Sequence, residues 1–131
     1  MTVAHHHPGQ ARMHYEAMSY SSRIEGASPH ELVTILYEEL VLALTLLAFS
    51  MRAQDSMKTN AQFGRASGII HALEAGLDHD LGGTLAESLS AIYRSARTEL
   101  MVARETANPD RVERHAQAFT DMNDSWKKIA A

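Results

Sequence analysis

The sequence contains no cysteine, which excludes disulfide bonds and thiolate metal sites from its 131 residues. It has only three prolines and seven glycines, and most of them fall between long apolar segments, where they would end helices. Few segments have the alternation of a β-strand. A chain of this length can bury a single core without cross-links, so we expect one predominantly helical domain.

The sequence also lacks an excess of positive charge and a long apolar run. Its formal net charge is −4 and its basic residues are scattered, which argues against nucleic acid as a partner. A membrane span needs about 20 apolar residues. The run from Leu40 to Phe49 is about half of that length, and Glu38 and Glu39 precede it directly. We therefore expect no membrane insertion, and the N-terminal residues show no secretory signal.

Motifs for catalysis are missing as well. There is no phosphate-binding loop, nucleophile elbow or dinucleotide fingerprint, and no Glu-x-x-His pair of the kind that di-iron helical bundles use. These observations predict a protein that is not an enzyme and needs no cofactor. Two groups contain metal-ligand residue types, but a flexible arm and an ordinary loop explain them better; they are His5, His6, His7 and His14, and Asp78, His79 and Asp80.

Helix-start signals divide the chain into four helices. Ser28-Pro29-His30-Glu31 is a capping box with proline at the first helical position, which predicts a helix from Pro29 to about Arg52. Apolar spacing predicts a second helix over about 57–77. A break at 78–83 precedes a third helix to about Thr106, and Asn108-Pro109 begins a fourth.

The apolar residues in the last three helices predict the core. In the second helix they are Phe63, Ala66, Ile70, Leu73 and Leu77. In the third they are Leu85, Leu89, Ile92, Ala96 and Ala103, with Tyr93 and Leu100 on the flank. In the fourth, a heptad repeat gives Val112, Phe119 and Trp126, with Ala116, Met122 and Ile129 between them.

Short connections between such helices predict an all-α, antiparallel up-down-up-down four-helix bundle. We expect this bundle domain over residues 25–131, preceded by a flexible N-terminal arm, with a possible short helix, over residues 1–24.

The first helix carries more apolar residues than one core face requires. At about 100° per residue, a narrow polar strip of Thr34, Glu38 and Thr45 separates two apolar faces. The broad face predicts the core, and its residues are Val33, Leu36, Tyr37, Leu40, Val41, Ala43, Leu44, Leu47, Ala48 and Met51. Beyond that strip lie further apolar residues, named here the second stripe: Leu32, Ile35, Leu42, Leu46 and Phe49.

Three interpretations of the second stripe remain open. It is additional core, or it binds a partner, because exposed apolar patches usually mark contacts, or it closes a homodimer. Tyr15, in the N-terminal arm, can cover the stripe or leave it.

Several segments in order resemble the FliS family of flagellar secretion chaperones. They are Ala27-Ser28-Pro29-His30-Glu31-Leu32-Val33, Leu36-Tyr37, Ile69-Ile70, Ala75-Gly76-Leu77-Asp78, Gly82-Gly83, Leu85-Ala86, Leu89, Tyr93 and Asp124-Ser125-Trp126-Lys127. Where the family commonly has Leu-Tyr-Asp-Gly, this chain has Leu36-Tyr37-Glu38-Glu39, so Glu39 replaces a glycine beside the second stripe.

The resemblance implies a cytoplasmic, all-helical export chaperone without cofactor. Its partner would be the C-terminal segment of flagellin, which it keeps unpolymerised and delivers to the flagellar type III secretion apparatus, with export-gate components as further partners. Such a client folds as a helix in an apolar groove. The predicted partner-binding residues are Tyr15, Leu32, Ile35, Glu39, Leu42, Leu46 and Phe49.

Overall fold

The computed structural model describes residues 23–129, and this part of the chain consists of helices and contains no β-strand. Its four long helices are α1 (Pro29–Arg52), α2 (Ser56–Ala75), α3 (His79–Glu105) and α4 (Pro109–Lys127). All four predicted helices are confirmed, and their predicted ends agree within about two residues except at the start of α3, which was expected after a break at 78–83 and begins at His79. Most of the predicted N-terminal arm, including Tyr15, lies outside the described residues.

Contacts divide the chain into two compact units, which meet in sequence between Leu32 and Val33. The domain boundary predicted after residue 24 stays a prediction, and so does the antiparallel up-down order of the bundle. Within the second unit, α2 packs on α3 and α3 packs on α4.

Side-chain caps explain why the helices begin where they do. Ser28 Oγ accepts a hydrogen bond of 3.1 Å from the backbone N–H of Glu31, as the capping box predicts. Asp78 Oδ1 accepts from the N–H groups of Asp80 and Leu81, so this residue ends one loop and starts α3. Asn108 Oδ1 caps α4 in the same way.

The broad face of α1 is buried against the other helices, as predicted. Tyr37, Leu40, Leu44 and Leu47 are 0–2% exposed and belong to one core cluster that includes residues of α2, α3 and α4. At the centre of this cluster, the hydroxyl oxygens of Tyr37 and Tyr93 are 2.6 Å apart. Phe119 of α4 lies against both tyrosine rings, at centroid distances of 6.1 and 6.5 Å. Three aromatic rings thus join α1, α3 and α4.

The predicted apolar face of α3 was wrong in part. Ala96 and Ala103 are buried and Leu89 packs partly buried against the core, as predicted, but the other two predicted positions are exposed. Tyr93 and Leu100, expected on the flank, are each 1% exposed, whereas Leu85 is 55% and Ile92 41% exposed. The physical reason is that the core selects the large tyrosine ring, which has a hydrogen-bond partner in Tyr37. A kink also separates the first residues of α3 from the rest, because Gly83 leaves helical geometry with φ of 52°. Gly83 tolerates this positive φ where other residues would be strained.

In the other predicted core sets, the structure confirms all positions but one. Ala66, Ile70 and Leu73 of α2 are buried, and Phe63 and Leu77 pack partly buried against them. In α4 the buried or partly buried positions are Val112, Ala116, Phe119, Met122 and Trp126. Ile129 is 49% exposed, because α4 ends at Lys127 before reaching it.

Polar contacts connect the helices around the rim of the core. The Arg52 guanidinium at the end of α1 contacts Asp110 and Glu113 in the first turns of α4. Arg104 of α3 bonds the side chain of Asn60 and lies 4.6 Å from the centroid of the Phe63 ring in α2. These groups are exposed or half-exposed, so each contributes little to stability compared with the core.

Helix α1 is long and apolar enough, by length and composition alone, to cross a membrane. A core helix meets the same criterion, and one face of α1 is buried against protein. The expectation of no membrane insertion therefore stays a prediction that this packing favours.

The Tyr37–Tyr93 contact provides a test of the core. We expect Tyr93→Phe to lower the free energy of unfolding by about 1–3 kcal/mol, because it leaves the buried Tyr37 hydroxyl without its partner. The double variant Tyr37→Phe/Tyr93→Phe should be closer to wild type than the sum of the two single variants. Urea denaturation of the four proteins measures this coupling, and simple additivity would contradict it.

The same pair predicts how stability depends on alkaline pH. Burial raises the pKa of both phenols above the ordinary value of 10.0, most strongly for Tyr93. A raised pKa in the folded state means that this stability is present below pH 10 and is lost as the pH rises above it. Urea denaturation between pH 8 and pH 11 should show a decline above about pH 10 that is smaller in the double phenylalanine variant. An equal decline in both proteins would contradict this origin.

Candidate functional site

Three large apolar side chains of the second stripe point away from the core on α1. Leu42 is 46%, Leu46 39% and Phe49 71% exposed, although each has buried neighbours in the same helix. Their spacing of four and three residues places them on one face, one above the other. This part of the second stripe is therefore an accessible apolar surface on a rigid helix.

The remaining predicted contact residues occupy different surroundings. Ile35 is 5% exposed, so its side chain is already covered. Leu32 is half-buried and belongs to the first unit, and Tyr15 lies outside the described residues. The roles of these three residues in binding remain predictions.

Glu39 is the polar member of this face of α1. Its carboxylate forms an ion pair through Oε2 with the guanidinium of Arg65 on α2, and its side chain is only 15% exposed. Arg65 is 44% exposed, so the positive partner is the better solvated of the two. The pair neutralises the carboxylate beside the apolar surface while Oε1 can still accept a further donor.

Thr45, on the neighbouring polar strip, bonds within α1 and not to another helix as Glu39 does. Its hydroxyl donates a 2.8 Å hydrogen bond to the carbonyl oxygen of Val41 in the preceding turn. This local bond satisfies the hydroxyl within α1 itself. Thr45 therefore separates the two apolar faces without forming a polar site.

A second apolar surface, between α3 and α4, did not emerge from the sequence patterns. It is an open groove lined by Ala91, Ile92, Ser95, Ala96, His115, Ala118, Phe119 and Met122. Burial lowers the pKa of His115, although its Nε2 lies 4.0 Å from a carboxylate oxygen of Glu99. The neutral imidazole is thus favoured near pH 7, which keeps the groove apolar. The sequence could have indicated this groove if Tyr93 had been assigned to the core, because the adjacent Ile92 then faces outward.

The structure does not assemble a metal centre from the residues that it describes. Within 23–129, no three side chains of histidine, aspartate or glutamate lie close enough together to hold an ion. Asp78, one of the metal-ligand types noted in the sequence, caps α3 instead. The four N-terminal histidines lie outside the described residues.

Comparison with known proteins shows the family of this chain. The family model described as "Flagellar protein FliS" matches residues 11–131. The flagellar secretion chaperone FliS of Salmonella typhimurium is 27% identical over 117 residues, which cover 88% of this chain and 87% of that protein. FliSB of Pseudomonas aeruginosa, also named a flagellar secretion chaperone, is 23% identical over 121 residues, covering 92% and 96% of the two chains. FliS of Vibrio cholerae is 23% identical over 115 residues, covering 88% and 85%. The resemblance inferred from the sequence is confirmed: the chain belongs to the FliS family of flagellar proteins.

Proposed function

We propose that this protein is a cytoplasmic export chaperone that binds the C-terminal segment of flagellin through the second stripe of α1. Binding would keep flagellin from polymerising before it is delivered to the flagellar type III secretion apparatus and its export-gate components. The observation that carries the proposal is the exposure of Leu42, Leu46 and Phe49 on one face, in a chain of the FliS family.

The energetics of this surface favour a helical partner. Fully burying a leucine or phenylalanine side chain contributes about 1.5–3 kcal/mol. Most of this energy is still available for binding at Phe49, because this residue is 71% exposed before a partner binds. A client that is disordered when free loses conformational entropy as it folds on the surface. Several large side chains in a row are therefore needed to offset that cost, and α1 presents them at helical spacing.

The bundle arrangement belongs to the same proposal. In an antiparallel up-down-up-down bundle, α1 would have one face on the other helices, and the exposed part of its second stripe, Leu42, Leu46 and Phe49, would be open to a client helix lying along it. Such a mechanism uses no cofactor and no covalent chemistry. Recognition depends on the shape and the apolar character of the groove.

Removing one side chain from the stripe tests the proposed surface. We expect Leu42→Ala or Leu46→Ala to lower the affinity for flagellin by at least about tenfold, equivalent to about 1.4 kcal/mol. The free energy of unfolding should fall by less than about 2 kcal/mol, because a core leucine costs about 2–5 kcal/mol on the same change. Isothermal titration calorimetry and urea denaturation measure the two quantities.

Leu85→Ala is the matched control, because Leu85 is an exposed leucine on α3, outside the stripe. It should bind flagellin with wild-type affinity. A loss of several kcal/mol of stability in both α1 variants would assign the stripe to the core. Wild-type affinity in both would place the contact elsewhere.

The second candidate function is a structural or regulatory bundle that homodimerises through the same stripe. The same exposed side chains favour it, since a second copy could also cover them. Sedimentation velocity with and without flagellin separates the two functions. We expect a one-to-one complex to form at the expense of any dimer, whereas a dimer that persists when flagellin is added would favour the second function.

A further inference from the structure

One face of α1 has the spacing of a coiled-coil seam. Ile35, Glu39, Leu42, Leu46 and Phe49 follow one another at intervals of four, three, four and three residues. This is the heptad pattern through which two helices pack side by side. Four of the five positions are apolar, and Glu39 is the one charged position. Because Ile35 is already covered, the part of the seam that a partner could contact runs from Glu39 to Phe49.

The ion pair with Arg65 places the Glu39 carboxylate at the edge of this seam. Glu39 is 15% exposed and Arg65 belongs to α2, so the carboxylate is directed across to the neighbouring helix. A helix docked on Leu42 and Leu46 would remove still more water from the pair. Removing water from an ion pair is unfavourable unless further hydrogen bonds compensate.

The seam of a second copy of this chain contains no hydrogen-bond-donating side chain, so it could not supply that compensation. If two copies of α1 packed in parallel, their Glu39 carboxylates would face each other, and like charges at close range repel. If they packed antiparallel about Leu42, each Glu39 would face a leucine. The partner that this seam fits is therefore a different helix, one that carries a donor where α1 carries Glu39.

We infer that Glu39 fixes the register of the docked helix. The partner is an amphipathic helix with apolar residues at heptad spacing and one hydrogen-bond-donating side chain opposite Glu39, a position from which a carboxylate is excluded. A single polar position in an apolar seam is known to determine register in coiled coils, at some cost in stability. The inference rests on the proposed function and adds to it a residue that determines specificity.

A charge-swap experiment tests the register. The probe is the C-terminal segment of flagellin from the same organism, prepared as peptides that each carry one glutamate at a successive position of the apolar face. Fluorescence anisotropy measures their affinity for the wild-type chain and for the double variant Glu39→Arg/Arg65→Glu, which keeps an ion pair but reverses its direction. We expect one peptide alone to bind the double variant at least about tenfold more tightly than it binds wild type.

Two further variants keep the test informative if the double variant does not fold. Glu39→Gln retains the size of the side chain and an acceptor oxygen and adds an amide donor, so it should bind the peptide with glutamate at that same position more tightly than wild type does. Glu38→Gln, which changes the adjacent carboxylate on the polar strip, should leave the ranking of the peptides unchanged.

The outcomes separate this inference from the proposed function. If the wild-type chain does not bind the native segment, the proposed function fails and the inference fails with it. If the segment binds but the ranking of peptides is the same for all variants, flagellin binding stands and the role of Glu39 is overturned. Rescue at several adjacent positions would also overturn it, because no single register would then exist.

Discussion

The structure depends on an imbalance in α1, which carries large apolar side chains both in the core and on its exposed surface. Its broad face is buried around the Tyr37, Tyr93 and Phe119 rings, where Leu40 and Leu44 have no exposed surface. Burial of apolar surface is the dominant favourable term in folding, so this face determines how the helices pack. What remains outside is a row of large side chains that folding alone does not bury.

The helix starts and the core face of α1 could be predicted from the sequence. Helix starts depend on local signals, and the caps at Ser28 and Asn108 could be predicted because each side chain accepts a hydrogen bond from a backbone N–H in the first turn of its own helix. The cap at Asp78 was not predicted, because the residues after it were assigned to a loop. The broad core face of α1 could be predicted because successive residues of a helix are separated by a fixed angle, so the spacing of apolar residues shows which of them share a face.

The side of α3 that enters the core was predicted only in part. Leu85 and Ile92 are apolar and suitably spaced, yet they are exposed, whereas Tyr93 is buried. Which of two overlapping apolar faces enters the core depends on a partner in another helix, in this case the Tyr37 hydroxyl 2.6 Å away. The ion pair of Glu39 with Arg65 joins residues 26 positions apart, and no local pattern contains it. Contacts between distant segments decided both features.

The family and the geometry together lead to one account of function. Membership of the FliS family implies a flagellar export substrate as the partner. The exposed side chains of α1 form an apolar surface that a helix could cover. Glu39 gives that surface a chemical feature which apolar contacts lack, because a carboxylate distinguishes a donor from another carboxylate. In the proposed complex, apolar burial would contribute the affinity and the polar position at Glu39 would contribute the alignment.

The most direct test of the central claim is methyl NMR spectroscopy of the leucine-labelled chain during titration with the C-terminal segment of flagellin. The account predicts that the methyl resonances of Leu42 and Leu46 shift most, because they lie under the bound helix. Those of Leu40 in the core and Leu85 on α3 should move little. Large shifts at Leu85 with none at Leu42 and Leu46 would contradict the assignment of the second stripe as the binding surface.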